Sequence, residues 1–238
     1  LAARGAKVVV NDLARLTGKD GQSASAAEIV AQEIIEAGGE AIANTDSIAS
    51  PEGANRLVNA AIEKWGRVDI LINNAGILRD SSFTKAKLSD VEDVLRVHLL
   101  GTIYVTHACW PHMVARQYGR IIVATSMVGY MGNFGQTAYA SAKMGVLGMM
   151  NTLALEGGRK GILINAISPA AVTQMSKGLN PPALEKYMVA DKVVPAVLYL
   201  ASRRNLDNAL ILEAMAGGFG RVRMFENNMT SFDPSQPV

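Results

Sequence analysis

The chain has 238 residues, 49% of them apolar, which is ample for one large domain; a formal net charge of +2 and a pI near 8.7 are too mild to argue for nucleic acid or an anionic membrane. No apolar run approaches membrane-spanning length, and the start does not read as a signal peptide. Cys109 stands alone, which fits a reducing, cytoplasmic setting, and His98, His107 and His112 lack metal-ligand spacing and acidic company, so no metal site is expected.

Ala6–Asn11 is a β-branched run after Arg4-Gly5 and reads as a buried parallel strand. A polar loop over Gly18–Ser23 leads to a helix at about Ala26–Ala37, closed by Gly38-Gly39. A strand at Glu40–Asn44, a helix at about Pro51–Trp65 and a strand at Val68–Ile72 follow. The spacing then predicts a long helix over about Leu88–Gln117, a strand at Ile121–Thr125, a helix at Thr137–Glu156, and a strand at Leu163–Ile167 stopped by Pro169. A polar, irregular stretch, Thr173–Tyr187, precedes a helix at about Leu184–Ala201 and a last strand at Ala209–Glu213.

Strands and helices alternate throughout, so the expected fold is α/β, a single domain with a doubly wound parallel sheet of Rossmann type. Such folds begin with a central strand and a Gly-rich turn whose following helix binds pyrophosphate. Here Leu1–Arg4 reads as the end of that helix, and no G-x-G-x-x-G or G-x-x-x-G-x-G occurs before it. The expectation is a chain whose first strand and Gly-rich turn are absent from these residues, or else a rearranged sheet.

Tyr139 and Lys143 are four residues apart, one turn of the predicted helix. An ammonium held near a phenol lowers its pKa and makes tyrosine a usable general acid or base. Such a pair also arises by chance as a solvated lysine beside a packed tyrosine. Ser126 closes its strand thirteen positions earlier, and strand ends and helix starts share one rim of a parallel sheet. A carbonyl held by that hydroxyl and phenol could take a hydride on carbon and a proton on oxygen. Taken singly, Ser126 is more readily a helix or turn cap.

Asn11-Asp12, Asn73-Asn74-Ala75-Gly76, Ser126, Tyr139 and Lys143, in this order, resemble the short-chain dehydrogenase/reductase family from Leu1 to about Gly220. The runs Val8–Leu13, Asn74–Asp80, Val97-His98-Leu99 and Gly132–Gln136 resemble, within it, the (3R)-hydroxyacyl-CoA dehydrogenase domains of multifunctional type 2 enzymes of fatty-acid β-oxidation.

The resemblance implies an oxidoreductase moving a hydride between NAD and a secondary alcohol or ketone, most specifically a (3R)-hydroxyacyl-CoA. A 3-oxoacyl-thioester or ketosteroid reductase is the alternative with the same chemistry, and a non-catalytic dinucleotide sensor or scaffold the alternative of another class. It implies that Ser126 orients the substrate oxygen, Tyr139 exchanges the proton, and Lys143 lowers the tyrosine pKa and binds the nicotinamide ribose. Asp12 would accept from the adenosine ribose, favouring NAD over NADP, while Arg15 and Lys19 keep NADP open.

Asp46 and the Ser47 backbone would meet the adenine, and Asn74, Ala75 and Gly76 would let the adenosine side lie close to backbone. Unaided, Asp12 and Asp46 read equally as caps. His98 stands where the family commonly has an asparagine that helps hold a water beside the lysine; a packed, hydrogen-bonded histidine is the plainer reading. Ala170 replaces the usual glycine after Pro169, which requires a backbone that avoids glycine-only conformations, and Thr173 could contact the nicotinamide amide or pyrophosphate. A substrate lid is expected at about 173–190, with Met175, Leu179 and Met188 as an apolar wall. Ala138, Ala140, Ala142, Gly145 and Gly148 would build a homodimer or homotetramer interface. The partners implied are a small-molecule acyl thioester or related substrate, with neither nucleic acid nor membrane.

Overall fold

The structure, a computed structural model, describes residues 1–17, 23–173 and 185–226. Lys19, Met175, Leu179 and the predicted helix start at Leu184 lie outside the described residues, as does most of the expected lid.

A 3-10 turn at Ala2–Arg4 leads into β1 (Lys7–Asn11), then β2 (Arg15–Thr17) and β3 (Ser23–Ser25), a small antiparallel pair where only a loop was expected. Helix α1 (Ala26–Glu36) starts on a capping box. Ser25 Oγ accepts from the Glu28 N–H at 3.0 Å, and the Ser25 N–H donates to Glu28 Oε2 at 2.9 Å. After β4 (Glu40–Asn44), α2 (Pro51–Trp65) has Ser50 as its cap, Pro51 in its first turn and Gly66 at φ 71° closing it.

Strand β5 (Ile70–Asn73) is followed by α3 (Leu88–Leu95), a π turn at Arg96–Gly101, and α4 (Thr102–Arg116). The long helix expected here is therefore interrupted in its middle. Next come β6 (Gly119–Ala124), the short α5 (Met127–Met131), α6 (Thr137–Gly158), β7 (Ile162–Ala170), α7 (Val194–Ala201), β8 (Ile211–Met215) and β9 (Gly218–Val222). Helix α5 was not foreseen. The predicted helix over Leu184–Ala201 shortens to α7, preceded by a 3-10 turn at Ala190–Lys192.

The expected parallel sheet is present in two parts. β1 and β4 pair in parallel, and β5-β6-β7-β8-β9 form the larger sheet, parallel except for the β8–β9 hairpin. In the doubly wound order 3-2-1-4-5-6, β4-β1 hold the places of strands 3 and 2, and β5-β6-β7 those of 4, 5 and 6. No described strand lies between β1 and β5. The two parts meet through α2, which touches both β1 and α4, and through Ile48 after β4, which packs on Gly101 of the π turn.

Residues of β6 alternate faces as strand geometry requires. Ile121 and Val123 join a core with α2, α4 and α6, while Ile122 and Ala124 join a second core with α7. Helices thus cover both faces, which is why β6 is buried along its whole length. Pro169 does not stop β7. Beyond Ile167 the strand pairs with β8 alone, and a residue without an N–H is tolerated at such an edge. Among the described residues no helix is long and apolar enough to cross a membrane.

Candidate active site

The strand ends of the larger sheet and the start of α6 share one rim. Ser126 follows β6 and caps α5, its Oγ accepting from the Val128 N–H at 3.2 Å. It also lies near enough to the phenol of Tyr139, in the first turn of α6, to lower the phenol's pKa. Lys143, one turn further on, is 4% exposed, and its Nζ donates to the Ala124 carbonyl at 2.7 Å. The same Nζ lies 5.5 Å from the Tyr139 ring centroid. Ser126, Tyr139 and Lys143 therefore converge as their order in the chain suggested.

The electrostatics differ from expectation. The Tyr139 pKa lies above the ordinary tyrosine value: burial raises it most, the Ser126 hydroxyl lowers it, and the Asp80 carboxylate raises it again. Burial outweighs any help from the lysine, whose ammonium is turned to a backbone carbonyl. Lys143 itself is pushed down to about 8 by burial. At neutral pH the pair is a protonated phenol beside a cation poised to lose its proton just above that range.

His98, in the π turn, completes the cluster. Its ring meets the Tyr139 ring edge-on, with centroids 5.1 Å apart. Nε2 lies 2.8 Å from the Ile77 carbonyl and 3.0 Å from the Ile77 N–H, so either tautomer finds a partner there. Nδ1 is buried and has no hydrogen-bond partner among the described residues. Burial and the Lys143 charge push the His98 pKa down to about 4, which keeps the ring neutral. The packed-histidine reading thus describes one nitrogen, while the other has no hydrogen-bond partner among the described residues.

The proposed cofactor residues sit at strand ends on the same rim. Asp12, just past β1, is exposed, with Oδ1 accepting from the Ala14 N–H at 2.8 Å. Asp46, after β4, has both carboxylate oxygens engaged, by Arg56 at 2.6 Å and by Asn44 at 2.8 Å, and these hydrogen bonds hold its pKa low. The Ser47 hydroxyl accepts from the Ala49 N–H at 3.2 Å. Asp12 and Ser47 each close a local turn, and neither Asp12 nor Asp46 is a helix cap, since Ser25 caps α1 and Ser50 caps α2. Arg15 is folded onto its own hairpin, with hydrogen bonds to Ser23.

Asn74 and Ala75 are exposed after β5. Gly76 has a reason for its small size that sequence reasoning missed: a Cβ there would come within 2.2 Å of the His98 ring. Ala170 is not among the residues with positive φ, so it meets the condition set for replacing glycine, and Thr173 is exposed beyond it. Met188, expected in an acyl wall, is buried and its carbonyl accepts from the Val172 N–H. In α6, Ala142 is fully buried and Gly145 packs against Leu99 of the same chain, so these two small residues serve packing within the chain. Gly148 has open space in front of it.

An acidic group at the end of β1, a small-residue turn at the end of β5, and a phenol and ammonium on α6 suit the ribose hydroxyls of a nicotinamide dinucleotide. A phenol, a hydroxyl and a cation on one rim are groups able to exchange a proton with a carbonyl or alcohol oxygen. Comparison agrees: residues 1–183 match the family described as short chain dehydrogenase, and the chain belongs to the short-chain dehydrogenase/reductase family, whose members bind NAD(P).

Three relatives define its neighbourhood. A short-chain type dehydrogenase/reductase of Mycobacterium tuberculosis is 42% identical over all of this chain and 83% of its own length. Peroxisomal multifunctional enzyme type 2 of Drosophila melanogaster is 44% identical over 98% of this chain, which spans 39% of that enzyme. The solved full-length structure of that enzyme matches with a TM-score of 0.81 at 37% identity, over 100% of this chain and 39% of the other. A 3-oxoacyl-[acyl-carrier-protein] reductase of Synechocystis is 38% identical over 85% of this chain and 81% of its own length.

Proposed function

We propose that the chain interconverts a (3R)-hydroxyacyl thioester and its 3-oxo form, with NAD preferred over NADP. The observation that carries this reading is the convergence of Ser126, Tyr139, Lys143 and neutral His98 on one rim. NAD, when bound, supplies the hydride acceptor. Ser126 holds the substrate oxygen by a hydrogen bond, and Tyr139, once ionised, takes the hydroxyl proton onto its phenolate oxygen and becomes the phenol. The positive charge of Lys143, with its Nζ 5.5 Å from the Tyr139 ring centroid, favours the phenolate that must be present before the proton is taken. The unpartnered Nδ1 of His98 offers a further polar atom next to the pair, suited to holding a water. Asp12 at the end of β1 supports the NAD preference, because a carboxylate there repels a 2′-phosphate. The small residues on α6, Gly148 in particular, support a homo-oligomer.

One observation favours the same chemistry run towards the alcohol. Tyr139 is held protonated at neutral pH, which readies it as a general acid for a 3-oxoacyl thioester, and a Synechocystis relative carries a reductase name. Nucleotide turnover with hydroxyacyl-CoA and 3-oxoacyl-thioester panels, measured in both directions, separates the two. Replacing Tyr139 by Phe should lower turnover by about 10²–10⁴-fold, the range expected for loss of a positioned acid or base, and leave nucleotide binding in place. Retained turnover would remove Tyr139 from the mechanism. Nucleotide binding without turnover on any panel member would favour a sensor.

A further inference from the structure

A hydrogen-bonded chain ties the loop after β5 to the start of α6, and the chemistry above makes no use of it. Gln136 Nε2 donates to Asp80 Oδ2 at 2.8 Å, and Gln136 Oε1 accepts from Asn133 Nδ2 at 2.8 Å. A backbone bond lies alongside, from the Ser81 N–H to the Gly135 carbonyl at 2.9 Å. Gln136 is 9% exposed and immediately precedes α6, yet its side chain does not cap that helix. Tyr139 is three residues further on, and the cavity between the two segments is lined by Asp80, Phe83, Val91, Gln136 and Tyr139 among others.

The amide can be satisfied in one orientation only. A carboxylate is acceptor-only, so the Gln136 amine must face Asp80 and its oxygen must face the Asn133 amine. The bond to a charged acceptor is also stronger than one between neutral groups.

We propose that Asp80 is a positioning residue: clamped by Gln136, it docks the loop over 77–82 on the start of α6 and so fixes Tyr139 against Ser126. This rests on the reading that Tyr139 exchanges the proton. The charge adds a second effect, since the Asp80 carboxylate faces the phenol and opposes its ionisation. The other groups around the phenol are Lys143 on α6, neutral His98 from the π turn and the Ser126 hydroxyl, with Arg79 and Asp90 along the same cavity.

The test uses the full chain with nucleotide, at low ionic strength because Asp80 is exposed and salt would mute its charge. Asp80→Asn keeps an acceptor for Gln136 and removes the charge, so the pH at which oxidation turns on should move lower. Asp80→Ala, and Gln136→Glu with its two facing carboxylates, should each lower kcat by roughly tenfold, a loss in keeping with slight misplacement of a reacting group. The double variant Asp80→Asn/Gln136→Glu reverses the polarity of the bond, since the amide introduced in the loop then donates to the carboxylate introduced before α6. It should recover most of the loss seen with Gln136→Glu. An unmoved pH profile in Asp80→Asn, together with no recovery in the double variant, would overturn the proposal.

A second readout does not depend on turnover. Amide exchange at Ser81 and over 137–140 should quicken in Asp80→Ala and Gln136→Glu and slow again in the double variant. If the unsubstituted chain turns over neither substrate class, the functional reading fails and the exchange result alone decides the clamp, with unchanged exchange refuting it.

Discussion

His98 enters the folded chain as a neutral ring, its pKa held at about 4 by burial and by the Lys143 ammonium. Unfolded, the same imidazole titrates near its ordinary value of 6.5. Between those two pH values the unfolded chain binds a proton that the native chain refuses, so stability falls as pH drops through that window. We expect the urea midpoint to decline between pH 6.5 and 4, and His98→Gln, which cannot take up the proton, to lose less over the same range. A decline of the same size in the variant would assign the effect to carboxylates. Lys143 titrates in the other direction from the site's point of view: its charge is present below about 8 and lost above it. Oxidation should therefore weaken on the alkaline side as the cation beside Tyr139 disappears.

At the scale of elements, the π turn between α3 and α4 is the piece that brings His98 inward. Such turns insert an extra residue into a helix and often mark functional sites. Two of its side chains are received by glycines on neighbouring segments, His98 by Gly76 and Leu99 by Gly145, while its own Gly101 receives Ile48. Gly76→Ala should cost about 1–3 kcal/mol by overpacking against the imidazole, read from denaturant unfolding. Adding His98→Ala should return much of that loss, because the two changes share one contact and are non-additive. Additive losses would show that the ring is free to move aside. The π turn was not legible in the sequence, where His98 fell on an apolar helical face and read as packed, and only the family resemblance placed it near the lysine. Periodicity reports which residues face inward but not whether one turn of a helix is wound more loosely than the rest.

For the whole molecule, the described strands fall into two sheets, β1 with β4 and β5 through β9. Residues of β1 and β5 are mostly half-buried, whereas β6 is buried throughout. Strands with partly exposed residues open more easily than one buried throughout. Hydrogen exchange should therefore be faster in β1 and β5 than in β6. Equal protection would mean that the two sheets open as one cooperative unit.

Much of the architecture could be read from the chain alone. Ser25 with Glu28, Ser50 with Pro51, and Gly66 mark helix ends by local chemistry, and the β-branched runs at Val8–Val10 and Ile121–Val123 mark strands, because these signals act within a few residues. Ser126, Tyr139 and Lys143 were weak signals by spacing alone, and their order with Asp12 and Asn74-Ala75-Gly76, through the family resemblance, marked them as one site. What needed the tertiary structure was everything set by burial and by distant segments. Tyr139 has a raised pKa and Lys143 a lowered one because both are desolvated, and desolvation is a property of the surroundings. Gln136 meets Asp80 across 56 positions, a pairing that local spacing cannot reveal. The order of residues says which groups can exchange a proton. Which of them carry one at neutral pH is settled by folding, because their environment, and not their identity, fixes that state.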